Sequence, residues 1–479
     1  MRRKPNADTK QFIEKCKNDG WELDKVKQHL DEAEAAKMTI DLNSFIEEDP
    51  DESLSTLPSF FTVKGPHLPD GQSLIEKIFI DCDFDGTIQD LLKYECVRNT
   101  PLSLVTLSTL CARRNENFED LCGILSSNDS ANKASDAYYL LDINPDSLQQ
   151  VDAMIQTLNN KQSLSQNNEE KFQNLFSSLP RQQIWRLFID VPSQIMENGW
   201  FGFTNREENY LDCMAKGLIF IKNTINLPLS SQLLVGLHSS CTNDLGRITA
   251  GFRTPTDGFG FGFYGSNDFR HLPTITTAGY KELVSFSGQG GYEINAGANI
   301  RLTYDGTDER SIALAVNSTI DEYNTIIPTL TDTNEKLKAI SKMISKLERI
   351  HPFCDGNCRT ICMLLLNREL IKNNFPPVIL YDPNCLDGWS TEEIILLLKN
   401  GMMNFKSLVN GNESIFGKTV EWLQKHGNGS EECEQINGGS PTASSPPLLE
   451  SLLKMIDTLT NASIGLPEQK YSNNAPRFE

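Results

Sequence analysis

One break in an otherwise helical stretch constrains this chain most. Apolar residues recur at helical spacing from 334 to 370, interrupted once by His351-Pro352-Phe353-Cys354-Asp355-Gly356-Asn357, after which Cys358-Arg359-Thr360 resumes the period. Gly356 and Asn357 permit a sharp turn. The helix from Cys358 onward then aims its free N–H groups and its positive dipole end at that turn, which makes an anion site suited to phosphate. Arg359 adds a charge-assisted contact. Asp355 beside a phosphate is a natural Mg²⁺ ligand, and His351 is placed to take a proton from an attacking hydroxyl. A base, a metal carboxylate and an anion hole so close together describe phosphoryl or nucleotidyl transfer. The competing reading is a capped joint between two helices with a buried histidine. The combination of residue types argues against it.

This segment resembles the signature of the Fic (Fic/Doc) family, His-Pro-Phe-x-(Asp/Glu)-Gly-Asn-(Gly/Lys)-Arg-x-x-Arg. The resemblance extends over about 205–405: Leu237-His238 and Gly251-Phe252-Arg253 look like the approach to the family's flap, Leu272-Pro273 and Tyr280-Lys281-Glu282-Leu283 like the segment after the flap, and Phe375-Pro376-Pro377 like the end of the next helix. It implies a mainly helical domain with a β-hairpin flap that aligns a target segment, and transfer of AMP from ATP, or of a related phospho-group, to a protein hydroxyl on Ser, Thr or Tyr. His351 would be the general base and Asp355 the Mg²⁺ ligand, with Gly356, Asn357, Cys358 and Arg359 around the diphosphate. The chain departs from the signature twice, with Cys358 at the second glycine and Cys362 at the second arginine. A side chain at 358 narrows the anion hole, as lysine does in the Doc kinases, and the second arginine is the residue that grips a γ-phosphate. A Doc-like kinase is therefore an alternative. Ser193 and Glu197 fit the family's inhibitory pattern (Ser/Thr)-x-x-x-Glu-(Gly/Asn); Ser193 reads more readily as a plain helix N-cap after Pro192. Cys354, Cys358 and Cys362 read as small core-facing thiols rather than zinc ligands.

A second motif lies in the N-terminal half. Ile78-Phe79-Ile80-Asp81-Cys82-Asp83-Phe84-Asp85-Gly86-Thr87 reads as a strand ending in an acidic turn, where α/β sheets place ligands. It resembles the first motif of haloacid-dehalogenase-type (HAD) phosphatases. That resemblance implies Asp83 as nucleophile and Mg²⁺ ligand, Asp85 as acid/base, and Thr106, Lys133, Asp142 and Asp146 around phosphate and metal. Candidate strands at 77–82, 102–106, 137–141 and 184–191 fit a small Rossmannoid α/β unit. The acidic turn also fits the opening of an EF-hand loop, but Leu92 stands where a bidentate Glu is required. A HAD-type phosphatase with the Fic-like half as a binding module is the second alternative.

The 479 residues form a multidomain α+β chain: a helical N-terminal region at 1–70, a HAD-like domain at 71–192, a Fic-like domain at 193–425 with a Gly-rich insert near 286–318, a linker at 426–447 and a tail with a short helix at 448–479. A net charge of −20 repels nucleic-acid backbones and excludes wholesale nucleic-acid binding. No apolar run approaches the length of a membrane span, and no secretory leader is visible. Twelve scattered cysteines fit free thiols in a reducing, cytoplasmic setting, including that of a host cell receiving a bacterial effector or toxin.

Overall fold

The structure is a computed structural model; it describes residues 137, 140–141, 145–161, 167–196, 207, 209–245, 251–253, 260–262, 272–285, 293–296, 300–303 and 309–411. The expected helical N-terminal region at 1–70, the acidic motif with Asp83 and Asp85, and Thr106, Lys133, Asp142 and Glu197 lie outside these residues, as do the linker and the tail.

The described part is mainly helical. Its elements are α1 (Pro145–Lys161), α2 (Asn168–Ser177), a 3₁₀ turn (Arg181–Leu187), α3 (Val191–Met196), α4 (Tyr210–Thr224), α5 (Ser231–Thr242), β1 (Gly260–Gly262), α6 (Thr277–Ser285), β2 (Glu293–Ala296), β3 (Ile300–Thr303), α7 (Glu309–Ile326), α8 (Thr333–Ile350), a π-helical segment (Cys358–Leu365), α9 (Leu366–Lys372), a 3₁₀ turn (Pro383–Leu386) and α10 (Thr391–Val409). Among the described residues, no helix is long and apolar enough to cross a membrane.

Local chemistry starts the helices and burial holds them. Asp332 caps α8 by accepting the Glu335 N–H at 2.9 Å, and Ser230 caps α5 by accepting that of Leu233 at 3.1 Å. In α10, Glu393 accepts the Ser390 N–H at 2.9 Å while Ser390 Oγ accepts that of Glu393 at 3.4 Å, a reciprocal cap. Along α8, Leu337, Ile340, Ile344, Leu347 and Ile350 recur every three or four residues and are buried, each worth about 1.5–3 kcal/mol relative to exposure. The π-helical segment and α9 run through the middle of the core, with α4, α5 and α8 packed around them. Gly279 allows α6 to approach the 388–389 backbone, because a Cβ there would sit 1.9 Å from the Gly388 oxygen.

The three strands form one antiparallel sheet in the order β1-β3-β2. β2 and β3 make a hairpin in which Glu293 faces Thr303 and Ala296 faces Ile300. β1 adds to the other edge of β3, with Gly260 opposite Thr303. Two of the strands thus lie inside the Gly-rich insert.

Two expected strands are helical. Ala137 and Leu140 lie in a helix, and 184–191 folds as the 3₁₀ turn followed by α3. A short continuous apolar run suits a buried strand or a buried helical turn equally, so its period carries no decision. Here Ile184, Leu187, Phe188, Ile189 and Val191 all enter the core, and the Val191 N–H donates to the Tyr381 carbonyl at 3.0 Å. Among the described residues of 137–192 there is no strand. The expected domain boundary at 192/193 falls inside α3. α1 packs on α10, and α2 on α4 and α9, with Lys171 Nζ donating to Asn374 at 3.0 Å. Residues 137–191 belong to the same apolar core as 210–408.

Candidate active site

α8 ends at His351, whose backbone turns left-handed at φ 49°, ψ 60°. Pro352 prevents the helix from continuing. Arg253 fixes this end: its Nε donates to the His351 carbonyl at 2.7 Å, its Nη2 to that of Ile350 at 3.4 Å, and its own N–H to that of Pro352 at 2.8 Å. A cation at the C-terminus of a helix meets the negative end of the dipole. Burial pushes the His351 imidazole down to about 4, and the Arg253 charge adds to this, against the backbone bond to Glu348 and the Asp355 charge. His351 is therefore neutral near pH 7, the form that accepts a proton.

The loop after it is held from within. The buried Asn357 amide accepts the Phe353 N–H at 2.9 Å and donates to the Phe353 carbonyl at 2.8 Å. Asn357 was expected to hold a diphosphate; its side-chain oxygen and one amide N–H are engaged inside the loop. Phe353 is buried and stacks on His238 with centroids 3.8 Å apart and planes 5° apart. His238 Nε2 donates to the Asp355 carbonyl at 3.0 Å. Gly356 adopts φ +78°, and a Cβ there would meet Thr242 Cγ2 at 2.9 Å, so both conformation and space require glycine.

Asp355 is exposed; one carboxylate oxygen accepts the Gly356 N–H at 2.6 Å. Its carboxylate is the group that would hold Mg²⁺ shared with substrate phosphates, the usual mode for that ion. No cluster of three His, Cys, Asp or Glu side chains arranged for a metal occurs among the described residues.

The helix after the loop begins as a π-helix, wider than the expected α-helix, a form that recurs at functional sites. Arg359 in its first turn makes a two-pronged salt bridge to Glu207, at 2.6 and 3.2 Å. Its guanidinium lies 4.9 Å from the Tyr210 ring centroid, and the Tyr210 hydroxyl donates to the Phe188 carbonyl at 2.5 Å. Of the three spaced cysteines only Cys362 is fully buried. Cys358 is half-buried against the core and Cys354, which precedes the helix, is exposed. The Cys362 thiol hydrogen-bonds the buried Glu348 carboxyl, which burial pushes up to about 7.

Ser193 lies within α3 rather than capping it. Its N–H and hydroxyl both donate to Asp190, at 2.8 and 3.0 Å. Asp146 is on the exposed first turn of α1. Sequence reasoning did not single out Glu207, Tyr210 or Glu348. Glu348 carried a signal, one turn before His351 on the same helix; Glu207 and Tyr210 carried none, since their contacts to Arg359 are long-range.

The comparisons agree with this geometry. Residues 228–367, the segment that builds the site, match the model of the Fic/DOC family. The chain is also similar to the phosphocholine transferase AnkX of Legionella pneumophila, 28% identical over 270 residues. That match covers 48% of this chain and 28% of the relative.

Proposed function

We propose that this protein transfers a phosphate-linked group from a nucleoside diphosphate-type donor to a hydroxyl of a protein, with His351 as general base. The observation that carries this reading is His351 itself: neutral, at a helix end, four residues before an exposed carboxylate and eight before a cation. Asp355 would hold Mg²⁺, which would neutralise charge on the donor phosphates. The N–H groups at the start of the π-helical segment and Arg359 would bind those phosphates. His351 takes the proton of the incoming Ser, Thr or Tyr hydroxyl. The sheet of β1, β3 and β2 offers strand edges along which an extended target segment would align.

The donor is indicated by the residue that replaces the second arginine. Cys362 is buried and bonded to Glu348, so no cation stands there to grip a γ-phosphate. This favours a donor whose diphosphate ends in a non-phosphate group over ATP. Phosphocholine, the group in the relative's name, fits that requirement; AMP from ATP fits less well. The proposed setting is the cytoplasm, including that of a cell into which the chain is delivered.

The test uses purified protein, Mg²⁺ and a cell lysate. ATP labelled on its α- or γ-phosphate, and choline-labelled nucleoside diphosphate choline, are supplied in parallel to wild type and His351→Ala. Choline label on a protein band, lost in His351→Ala, is the expected result. α-Label would mean AMP transfer and γ-label alone a kinase. Label retained in His351→Ala would overturn the reading of His351.

A further inference from the structure

We propose that Glu348 is a positioning residue for His351, its carboxylate accepting the imidazole Nδ1–H so that Nε2 faces the reacting hydroxyl without a proton. The inference rests on the reading of His351 as the base. Glu348 sits one turn earlier on α8, with Oε1 3.9 Å from Nδ1 and a side chain 6% exposed. That separation is longer than a hydrogen bond, and such contacts often close only when substrate is bound.

The surroundings are built to hold this carboxyl in place. The Cys362 thiol hydrogen-bonds it, so the residue standing at the second-arginine position anchors the group behind the base. Its Oε2 is buried and has no partner among the described residues. The other ionisable groups nearby are Cys358 on the π-helical segment and Asp387 beyond the second 3₁₀ turn, which burial and the like charge of Glu348 push up. Arg349, next to Glu348 on α8, turns away and donates to the Asp387 and Trp389 carbonyls at 2.7 and 3.4 Å. The Arg253 charge pushes the His351 imidazole down and the Asp355 charge pushes it up. A buried carboxyl with one thiol donor and one orphan oxygen costs stability; its value lies in the histidine it faces.

In the step itself the target oxygen bonds to the donor phosphorus and the bond from phosphorus to the leaving oxygen breaks. The hydroxyl proton passes to Nε2 and then to solvent. The carboxylate offsets the imidazolium charge while it lasts.

The experiment compares full-length wild type, Glu348→Gln and His351→Ala in the lysate assay, using whichever of the three labelled donors marks a band with wild type. Glu348→Gln is expected to lower the maximal labelling rate at least about tenfold, while the donor concentration at half-maximal rate stays within about twofold. Its melting temperature at pH 8 should not fall. The wild-type rate should lose activity as pH drops through about 7, where Glu348 takes up a proton, and the variant should lack that limb. Nitrogen-15 spectra, with His351→Ala identifying the signal among the six histidines, should show His351 changing from the Nδ1–H to the Nε2–H tautomer in Glu348→Gln. An unchanged tautomer with a rate within twofold of wild type overturns the proposal, and so does a lost rate accompanied by a lower melting temperature. Label retained in His351→Ala sinks the base reading instead, and the tautomer spectrum then decides the Glu348 contact alone.

Discussion

Arg359 and Glu207 meet through two parallel contacts, Nη1–Oε1 at 2.6 Å and Nη2–Oε2 at 3.2 Å, across a separation of 152 residues. The guanidinium proposed to meet the donor phosphates is thus already facing a carboxylate. Carboxylate and diphosphate compete for the same fork of donors. Glu207→Gln is expected to lower the donor concentration for half-maximal labelling by about threefold to tenfold, roughly the worth of a partly exposed charge pair. A donor titration checks this; a higher value would show that Glu207 only aims the guanidinium. The stability cost should stay within about 1 kcal/mol, since the pair is partly exposed.

Asn357 holds the loop with both ends of its amide. Asn357→Ala would leave the Phe353 N–H and carbonyl buried without their partner, at about 1–3 kcal/mol each. Urea unfolding should show a loss of about 3 kcal/mol together with loss of transfer. Asn357→Asp keeps the acceptor and loses the donor, so a smaller loss is expected.

Gly356→Ala places a methyl group 2.9 Å from Thr242 Cγ2 in a backbone conformation of φ +78°. The left-handed conformation alone costs about 1–2 kcal/mol for a residue with a Cβ. Adding Thr242→Ser removes the opposing methyl and keeps the hydroxyl that donates to the His238 carbonyl at 2.6 Å. The double variant should recover the contact part of the loss and retain the backbone part, read from melting curves of the four-member cycle.

The pH dependence of stability has two opposed parts. His351 sits at about 4 against an ordinary 6.5, so its contribution is fully present above 6.5 and is lost as pH falls through that window. Glu348 sits at about 7 against an ordinary 4.5, so its contribution is fully present below 4.5 and is lost as pH rises through about 7. The two slopes oppose each other between 4.5 and 6.5, and only that of Glu348 remains above. Glu348→Gln should therefore match wild type near pH 4.5 and exceed it at pH 8, by a difference on the order of 3 kcal/mol. Urea unfolding at the two pH values measures it directly; a variant less stable at pH 8 would contradict the sign.

The features legible along the chain were local. The period of α8, its break at His351 and the Gly356-Asn357 turn depend on residues within a few positions of one another, and each is found in the structure. The pairing of His238 with Phe353 was half legible, since His238 stood in a segment already singled out. Asn357 was recognised as a turn residue, whereas its two bonds to the Phe353 backbone need the folded loop. The apolar runs at 137–141 and 184–191 were read as strands, since the identity of a short buried run is decided by what packs on it. Here that is the helical core.

By itself, then, the sequence determined where the helices around the motif begin and end and which residue types crowd the turn between them, because caps, periods and glycine conformations are near-neighbour effects. Only the tertiary structure decided that Glu207 faces Arg359 and that Arg253 fixes the end of α8. The same holds for the Glu348 carboxyl, buried between Cys362 and His351. These contacts need a burial and a fixed backbone that no local stretch of chain supplies. They also set the charge states on which the proposed chemistry depends.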